Sequence, residues 1–310
     1  MLKSASRALI QGIRLPNTRL SHVATSKVPK VTIPDLFKKQ ENQEPIVVLT
    51  AHDSISARFA DMGGVDAILC GDSLAMVAMG YSNTNEITLD DMIYHCRAIR
   101  RGAQRPFLIA DLPFGSYERG PDQALDSAIR MIKEGHAECL KFEGGRELVP
   151  TVEKLTSYGI VTMPHIGLTP QRGIKTGGFK VQGRTADEAF SVLEDAIALE
   201  KAGAAMLLLE GVPGRVGEEI TRQVSIPVIG IGAGSHTNGQ VLVQLDILGG
   251  FDDFQPKFVK KYGDLLNYST SAIRQYSQDV RQRQFPAREH VYTMNREEHA
   301  HFLEAVKKLS

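Results

Sequence analysis

Eight short apolar runs, most of them separated by helical patterns, predict an α/β chain closed into a (β/α)8 barrel. Three observations carry that expectation. The runs are apolar nearly throughout, as strands buried on both faces must be. Helical periodicity returns after most of them. Five of them end at an ionisable residue: Asp72 after AILCG, Asp111 after PFLIA, Glu143 after ECLKF, His165 after IVTMP and Glu210 after AMLLL. An ionised group in the middle of a buried strand is costly to desolvate, but at the strand's end it can face a cleft. In such a barrel the carboxyl ends of the strands build the active site, so these five residues fall on the functional face. An open doubly wound sheet is the alternative, and its mark is missing: no G-x-G-x-x-G follows the first strand.

In chain order, Thr32 caps a short helix over 33–40, with Pro34 in its first turn, placed to close the bottom of the barrel. PIVVLTA (45–51) is the first strand, and His52-Asp53-Ser54 opens a helix that ends at Gly63-Gly64. The second strand enters at Asp66. After a loop with Gly80, Asn83 and Asn85 comes a helix from about Thr88, acidic at its start (Asp90, Asp91) and basic at its end (Arg100, Arg101), as the helix dipole favours. The third strand follows at Pro106. Between Gly120 and Gly135, Leu125, Ala128, Ile129 and Ile132 stand three and four apart on one helical face. The fourth strand (138–143) leads to a helix over 147–158, and the fifth strand (160–165) to a glycine-rich loop over 167–183. Thr185 and Glu188 make a capping box for a helix that Gly203 ends. The sixth strand is 205–210, a helix spans about 216–224, the seventh strand is 226–231, and the eighth is assigned to Val243–Leu248. From Gln255 onward the chain reads as polar helix, broken near Pro286, with a terminal helix over 297–308.

The bulk numbers narrow the function. Residues 1–27 carry Lys3, Arg7, Arg14, Arg19 and Lys27, many Ser and Thr, and no acid, so 1–28 reads as a mitochondrial transit peptide and the matrix as the destination. Removing those five basic residues from 36 leaves 31 against 36 acidic, a net charge of −5. A mildly acidic body without a basic tract has no electrostatic footprint for nucleic acid. No apolar run reaches the ~20 residues of a membrane span. Cys70, Cys96 and Cys139 form no C-x-x-C pair, and three is an odd number, so a reduced compartment is expected. The domains expected are 1–28 as leader, 29–285 as the catalytic barrel and 286–310 as a helical extension.

Asp72, Asp111 and Glu143 stand at the ends of adjacent strands, which run only ~4.8 Å apart. Three carboxylates that close repel one another unless a cation or shared proton lies between them, and an all-oxygen donor set favours Mg²⁺ over Zn²⁺. Alternatively each simply caps a turn. Lys141 shares a face with Glu143; it can hold an anionic substrate group, form a Schiff base, or pair with the acids. His165 is a proton shuttle, a metal ligand or a hydrogen-bonded core histidine. Glu210 stands apart after three leucines; isolation would raise its pKa and suit it to act as general base, unless Arg184 or Arg215 pairs with it. The glycines from Gly230 to Gly234 either cradle an anion or serve the turn.

At these residues the sequence resembles the ketopantoate hydroxymethyltransferase family. The likeness covers roughly 30–285 and rests on ordered blocks: Gly71-Asp-Ser-Leu74, Ala110-Asp-Leu-Pro-Phe114, Lys141-Phe-Glu-Gly-Gly145, His165-Ile-Gly-Leu-Thr-Pro-Gln171, Gly178-Phe-Lys-Val-Gln-Gly183, Leu209-Glu210, Ile226 to Gly234, and Pro256-Lys-Phe258. Small departures are His52 for the usual Tyr, Pro164 where Gly is frequent, and Gly211 where Cys is common. The resemblance implies a barrel of the phosphoenolpyruvate/pyruvate type, assembled as a homodecamer. It implies Mg²⁺ on Asp72 and Asp111, with Glu143 completing the site through water. Ser73 and Lys141 would hold the carboxylate of a 2-oxo acid, His165 would lie near the folate or keto oxygen, and Glu210 would accept the proton. The implied reaction passes a one-carbon unit from 5,10-methylenetetrahydrofolate to 3-methyl-2-oxobutanoate. Two rival readings are a carbon–carbon lyase of the same barrel type, whose members carry a catalytic cysteine on a mobile loop, and a non-catalytic metal-binding scaffold.

Overall fold

A computed structural model describes residues 29–309 except 174–177, 179 and 253–254. The expected transit peptide, 1–28, and Gly177 of the glycine-rich loop lie outside the described residues. Eight parallel strands close into one barrel in sequence order: β1 (Ile46–Thr50), β2 (Ala67–Cys70), β3 (Phe107–Asp111), β4 (Cys139–Glu143), β5 (Thr162–Gly167), β6 (Leu207–Glu210), β7 (Val228–Ile231) and β8 (Gly239–Leu242). The barrel closes where β8 pairs with β1, Val48 opposite Val241.

The period of two divides each strand between two cores. One face fills the barrel with Ile46, Val48, Ala67, Leu69, Phe107, Ile109, Cys139, Met163, Met206, Leu208, Ile229 and Val241. The other face, including Ile68, Leu108, Leu140, Leu207 and Val228, packs against the surrounding helices. The first helix, α1 (Ile33–Glu41), contributes the fully buried Leu36 to the interior cluster and closes the amino-terminal end of the barrel, as expected.

The outer layer consists of α2 (Ser54–Met62), a single turn α3 (Leu74–Val77), α4 (Leu89–Gly102), α5 (Pro121–Gly135), α6 (Val149–Ser157), α7 (Ala186–Lys201), α8 (Gly214–Gln223) and the short α9 (Gln244–Leu248). The capping box read from sequence at Thr185 and Glu188 is present, and the structure adds two more caps: Asp53 accepts from the Ser56 N–H, and Thr88 with Asp91 forms a capping box.

The eighth strand differs from the expectation. Val243–Leu248 is not a strand; β8 lies earlier and α9 occupies 244–248. Gly239 and the exposed Gln240 interrupt the apolar run that marks the other strands, yet a Cβ on Gly239 would lie 2.4 Å from the Ile46 carbonyl, so only glycine lets β8 approach β1 this closely. Between β7 and β8 the chain runs through 232–238 without a helix. The carboxyl-terminal part also departs from continuous helix: it holds α10 (Leu265–Arg281), a 3₁₀ turn at Arg288–His290 and α11 (Arg296–Lys307), and neither α10 nor α11 buries a residue.

Candidate active site

The interior faces of β3, β4, β5 and β6 change from apolar to ionisable at their carboxyl ends. Ile109 is followed on that face by Asp111, Cys139 by Lys141 and Glu143, Met163 by His165, and Leu208 by Glu210. The same alternation that packs the core therefore aims five functional groups inward at the carboxyl end of the barrel. Asp72 joins them by another route: Gly71 carries the chain out of β2, and the Asp72 N–H donates to Asp111 Oδ2 at 3.0 Å. Ser73 follows at the start of α3, partly buried.

Asp72, Asp111, Lys141, Glu143 and His165 are all buried. Lys141 Nζ donates to Asp111 Oδ2 at 2.7 Å. Burial opposes the charge on Lys141, but Asp111, Asp72 and Glu143 outweigh it and hold the ammonium above its ordinary pKa. Asp72 is pushed well above the usual carboxylate range, first by burial and then by the Asp111 charge. Asp111 Oδ1 is buried with no hydrogen-bond partner among the described residues.

Glu143 is turned toward β5. Its Oε1 lies 3.4 Å from His165 Nδ1, and its Oε2 accepts from the Gln171 N–H at 2.9 Å. Burial would raise its pKa, but His165 and then Lys141 hold it below the ordinary value. His165 Nε2 lies 3.2 Å from Glu210 Oε2. Both imidazole contacts are at ion-pair distance without good hydrogen-bond alignment, since neither ring nitrogen makes a hydrogen bond among the described residues. Burial disfavours the imidazolium, yet Glu143 and next Glu210 outweigh it and push His165 up to about 9.

Two expectations change here. Glu210 is not isolated, and its partner is neither Arg184 nor Arg215; it is His165 on the neighbouring strand, because β5 and β6 pair with Gly167 opposite Glu210 and bring the two inward-facing groups together. The three acids at β2, β3 and β4 do not converge as a closed ligand set: among the described residues no three His, Cys, Asp or Glu side chains are gathered tightly enough to hold a metal. Asp72 and Asp111 are neighbours, while Glu143 is occupied by His165 and Gln171. The donor chemistry nevertheless fits Mg²⁺, which takes one or two carboxylates and keeps several waters, and Asp111 Oδ1 is a buried oxygen that no proton donor among the described residues satisfies.

Gln171 and Tyr117 also belong to the site, and charge or strand pattern does not mark either of them in the sequence. Gln171 Nε2 donates to Asp72 Oδ2 at 2.8 Å, and the Tyr117 hydroxyl donates to Gln171 Oε1. The only sequence signal is the position of Gln171 at the end of the HIGLTPQ block, because a neutral amide in a loop carries no charge pattern. A cavity of about 500 Å³, lined by Asn85, Pro113, Phe114, Ser116, Arg119 and Arg130 among others, lies between the loops after β2 and β3. It is not lined by Asp72, Asp111, Glu143 or Glu210.

A sequence profile described as ketopantoate hydroxymethyltransferase matches residues 30–288. A protein of Emericella nidulans named 3-methyl-2-oxobutanoate hydroxymethyltransferase is 49% identical over 285 residues, covering 91% of this chain and 81% of its own. One of the same name from Oleidesulfovibrio alaskensis is 50% identical over 276 residues, covering 89% and 95%. Among solved structures, 2,3-dimethylmalate lyase, a member of the PEP mutase/isocitrate lyase superfamily, aligns with a TM-score of 0.54 at 18% identity over 84% of this chain and 90% of its own. An oxaloacetate acetylhydrolase aligns at 0.55 and 17%, over 82% and 87%. At such identities these two structures speak for the shared barrel alone.

Proposed function

The chain belongs to the ketopantoate hydroxymethyltransferase family, and we propose that its mouth residues convert 3-methyl-2-oxobutanoate into ketopantoate with a one-carbon unit from 5,10-methylenetetrahydrofolate. It is a hydroxymethyl-transferring enzyme of the pantothenate pathway. One observation carries the assignment of roles: Asp72, Asp111, Lys141, Glu143, His165 and Glu210 meet at the carboxyl-end mouth of a barrel of this family.

In this reading Asp72 and Asp111 would hold Mg²⁺ directly, with Glu143 acting through water. The ion, when bound, would supply positive charge where negative charge develops on the ketoacid. Glu210 takes the proton from C3, and the electron pair left behind moves toward the keto oxygen. His165, charged at neutral pH and 3.2 Å from Glu210, offers a cation and a proton donor at the same place. Lys141 and Ser73 hold the substrate carboxylate; Lys141 is already committed to Asp111 at 2.7 Å, so a second anion would share an ammonium that has three donors. Water adds to the folate's methylene carbon, the carbon–nitrogen bonds break to release tetrahydrofolate and a formaldehyde equivalent, and the nucleophilic carbon bonds to that carbon while its oxygen takes up a proton and becomes the hydroxyl.

A lyase of the same barrel type would call for a cysteine at the mouth. Cys70, Cys96 and Cys139 are all buried: Cys70 and Cys96 pack between barrel and helices, and Cys139 lies inside the barrel beneath Lys141. The test is hydrogen exchange at C3 of 3-methyl-2-oxobutanoate in heavy water with Mg²⁺ and no folate. Wild-type protein should exchange the C3 proton, and Glu210→Gln should slow exchange about 10²–10⁴-fold, the usual range for a general base. Equal rates would remove Glu210 from that role.

Two further assignments belong to the same proposal. The matrix of the mitochondrion fits the acid-free, Arg- and Ser-containing residues 1–28. The family resemblance implies a homodecamer; a contact between copies is supported by α10, which displays Leu265, Tyr268, Ile273, Tyr276 and Val280 to solvent, and by the barrel wall at β7, β8 and β1, where no helix follows β7 and outward-facing Val47 is 49% exposed.

A further inference from the structure

We infer that Gln171 is a positioning residue that makes Asp72 present one oxygen to a divalent cation. The inference rests on the Mg²⁺ reading above and adds a residue to it. Gln171 is 3% exposed, and every polar group it carries is engaged. Its side-chain nitrogen meets two acceptors, Asp72 Oδ2 at 2.8 Å and the Leu112 carbonyl at 3.2 Å. Its side-chain oxygen meets the Tyr117 hydroxyl. Two acceptors on one side and an O–H on the other settle which end of the amide is nitrogen.

The main chain of Gln171 is tied as firmly. Its N–H donates to Glu143 Oε2 at 2.9 Å, and its carbonyl accepts from Asn85 Nδ2 at 3.0 Å. One residue from the loop after β5 thereby links the loop after β2, which carries Asp72, the loop after β3, which leaves from Asp111, and Glu143 at the end of β4.

The consequence concerns how the two aspartates face an ion. Asp72 has Oδ2 held by Gln171, and Asp111 has Oδ2 held by Lys141 and by the Asp72 N–H. Each acid has one oxygen fixed by nitrogen donors, and the other oxygen of Asp111 is the buried Oδ1, without a hydrogen-bond partner among the described residues. Two acids offering one oxygen apiece suit Mg²⁺, whose strict octahedron favours single-oxygen ligation with water in the remaining positions. Lys141 sets the orientation on Asp111, and Gln171 sets it on Asp72. A neutral amide does this without adding a charge that would compete with the cation; a carboxylate at 171 would set an acceptor against Asp72 Oδ2 and the Leu112 carbonyl.

The experiment is calorimetric titration of the full chain with MgCl₂ alone, without substrate, for wild type, Gln171→Leu, Gln171→Glu and Tyr117→Phe. Outer partners of metal ligands typically change affinity by about 10–100-fold. Gln171→Leu should weaken Mg²⁺ by that amount, Gln171→Glu should weaken it as well, and Tyr117→Phe, which frees the far end of the amide together with the 3.2 Å contacts of that hydroxyl to the Glu143 main chain, should weaken it less. A purely structural role would lower the thermal midpoint and leave Mg²⁺ affinity unchanged, which would overturn the inference. Should Gln171→Leu fail to fold, Tyr117→Phe decides: unchanged affinity there also overturns it. If wild type itself takes up no Mg²⁺, the metal reading falls and the inference falls with it, whereas wild-type binding with undiminished variants removes only the role of Gln171.

Discussion

His165 is the residue whose charge state matters most to the site, because it lies between Glu143 and Glu210 and carries a pKa raised to about 9. A group that binds its proton more tightly when folded than when unfolded stabilises the fold fully below the unfolded value, near 6.5, and loses that contribution as pH rises through about 9. In metal-free buffer the urea midpoint of wild type should therefore fall between about pH 6.5 and 9, more steeply than that of His165→Gln. Parallel declines in the two proteins would show that the imidazolium does not contribute this stability. At the same scale Lys141 is the buried cation among buried acids; removing one member of such a pair typically costs about 3–5 kcal/mol, because the other charge is left uncompensated. Lys141→Met should thus lose stability of that order in denaturant titration, a larger loss than an exposed lysine such as Lys38 would produce.

Among the elements, β8 shows how a strand can be set by backbone approach rather than by apolar content. It has four residues, one of them exposed, and it completes the barrel because Gly239 leaves room for the Ile46 carbonyl where any side chain would collide. Gly239→Ala should destabilise the chain by about 1–3 kcal/mol, the usual penalty for overpacking, as read from the denaturant midpoint. A midpoint equal to wild type would mean that the closing pair has room to relax. The same reasoning explains why composition misplaces β8: Val243–Leu248 has the more strand-like residues, but they follow a helical turn once the barrel has closed ahead of them. The other seven strands are legible because each is a run of apolar residues too short for a helix and bounded by Gly, Pro or charge.

For the whole molecule, α10 is the unexplained surface of a single chain. It is a 17-residue amphipathic helix with no buried residue, and its start is fixed beside α9 by hydrogen bonds from Tyr262 and Gly263 to the Ile247 carbonyl and from Leu266 to the Gly249 carbonyl. If this helix contributes to assembly, Ile273→Arg combined with Tyr276→Arg should lower the mass measured by light scattering, while each chain keeps its far-ultraviolet circular dichroism. Retention of the wild-type mass would exclude this face from the contact.

The sequence alone determined the barrel, its mouth and the chemical character of that mouth, because strand period and desolvation force charged residues to the ends of buried strands. It also held Asp72, Asp111, Lys141, Glu143, His165 and Glu210 as a set. Only the tertiary structure decided how they pair. Lys141 goes to Asp111, Glu143 and Glu210 flank His165, and Gln171 spans three loops, because pairings between strands and loops up to 99 positions apart depend on barrel register and loop path, which no local pattern encodes.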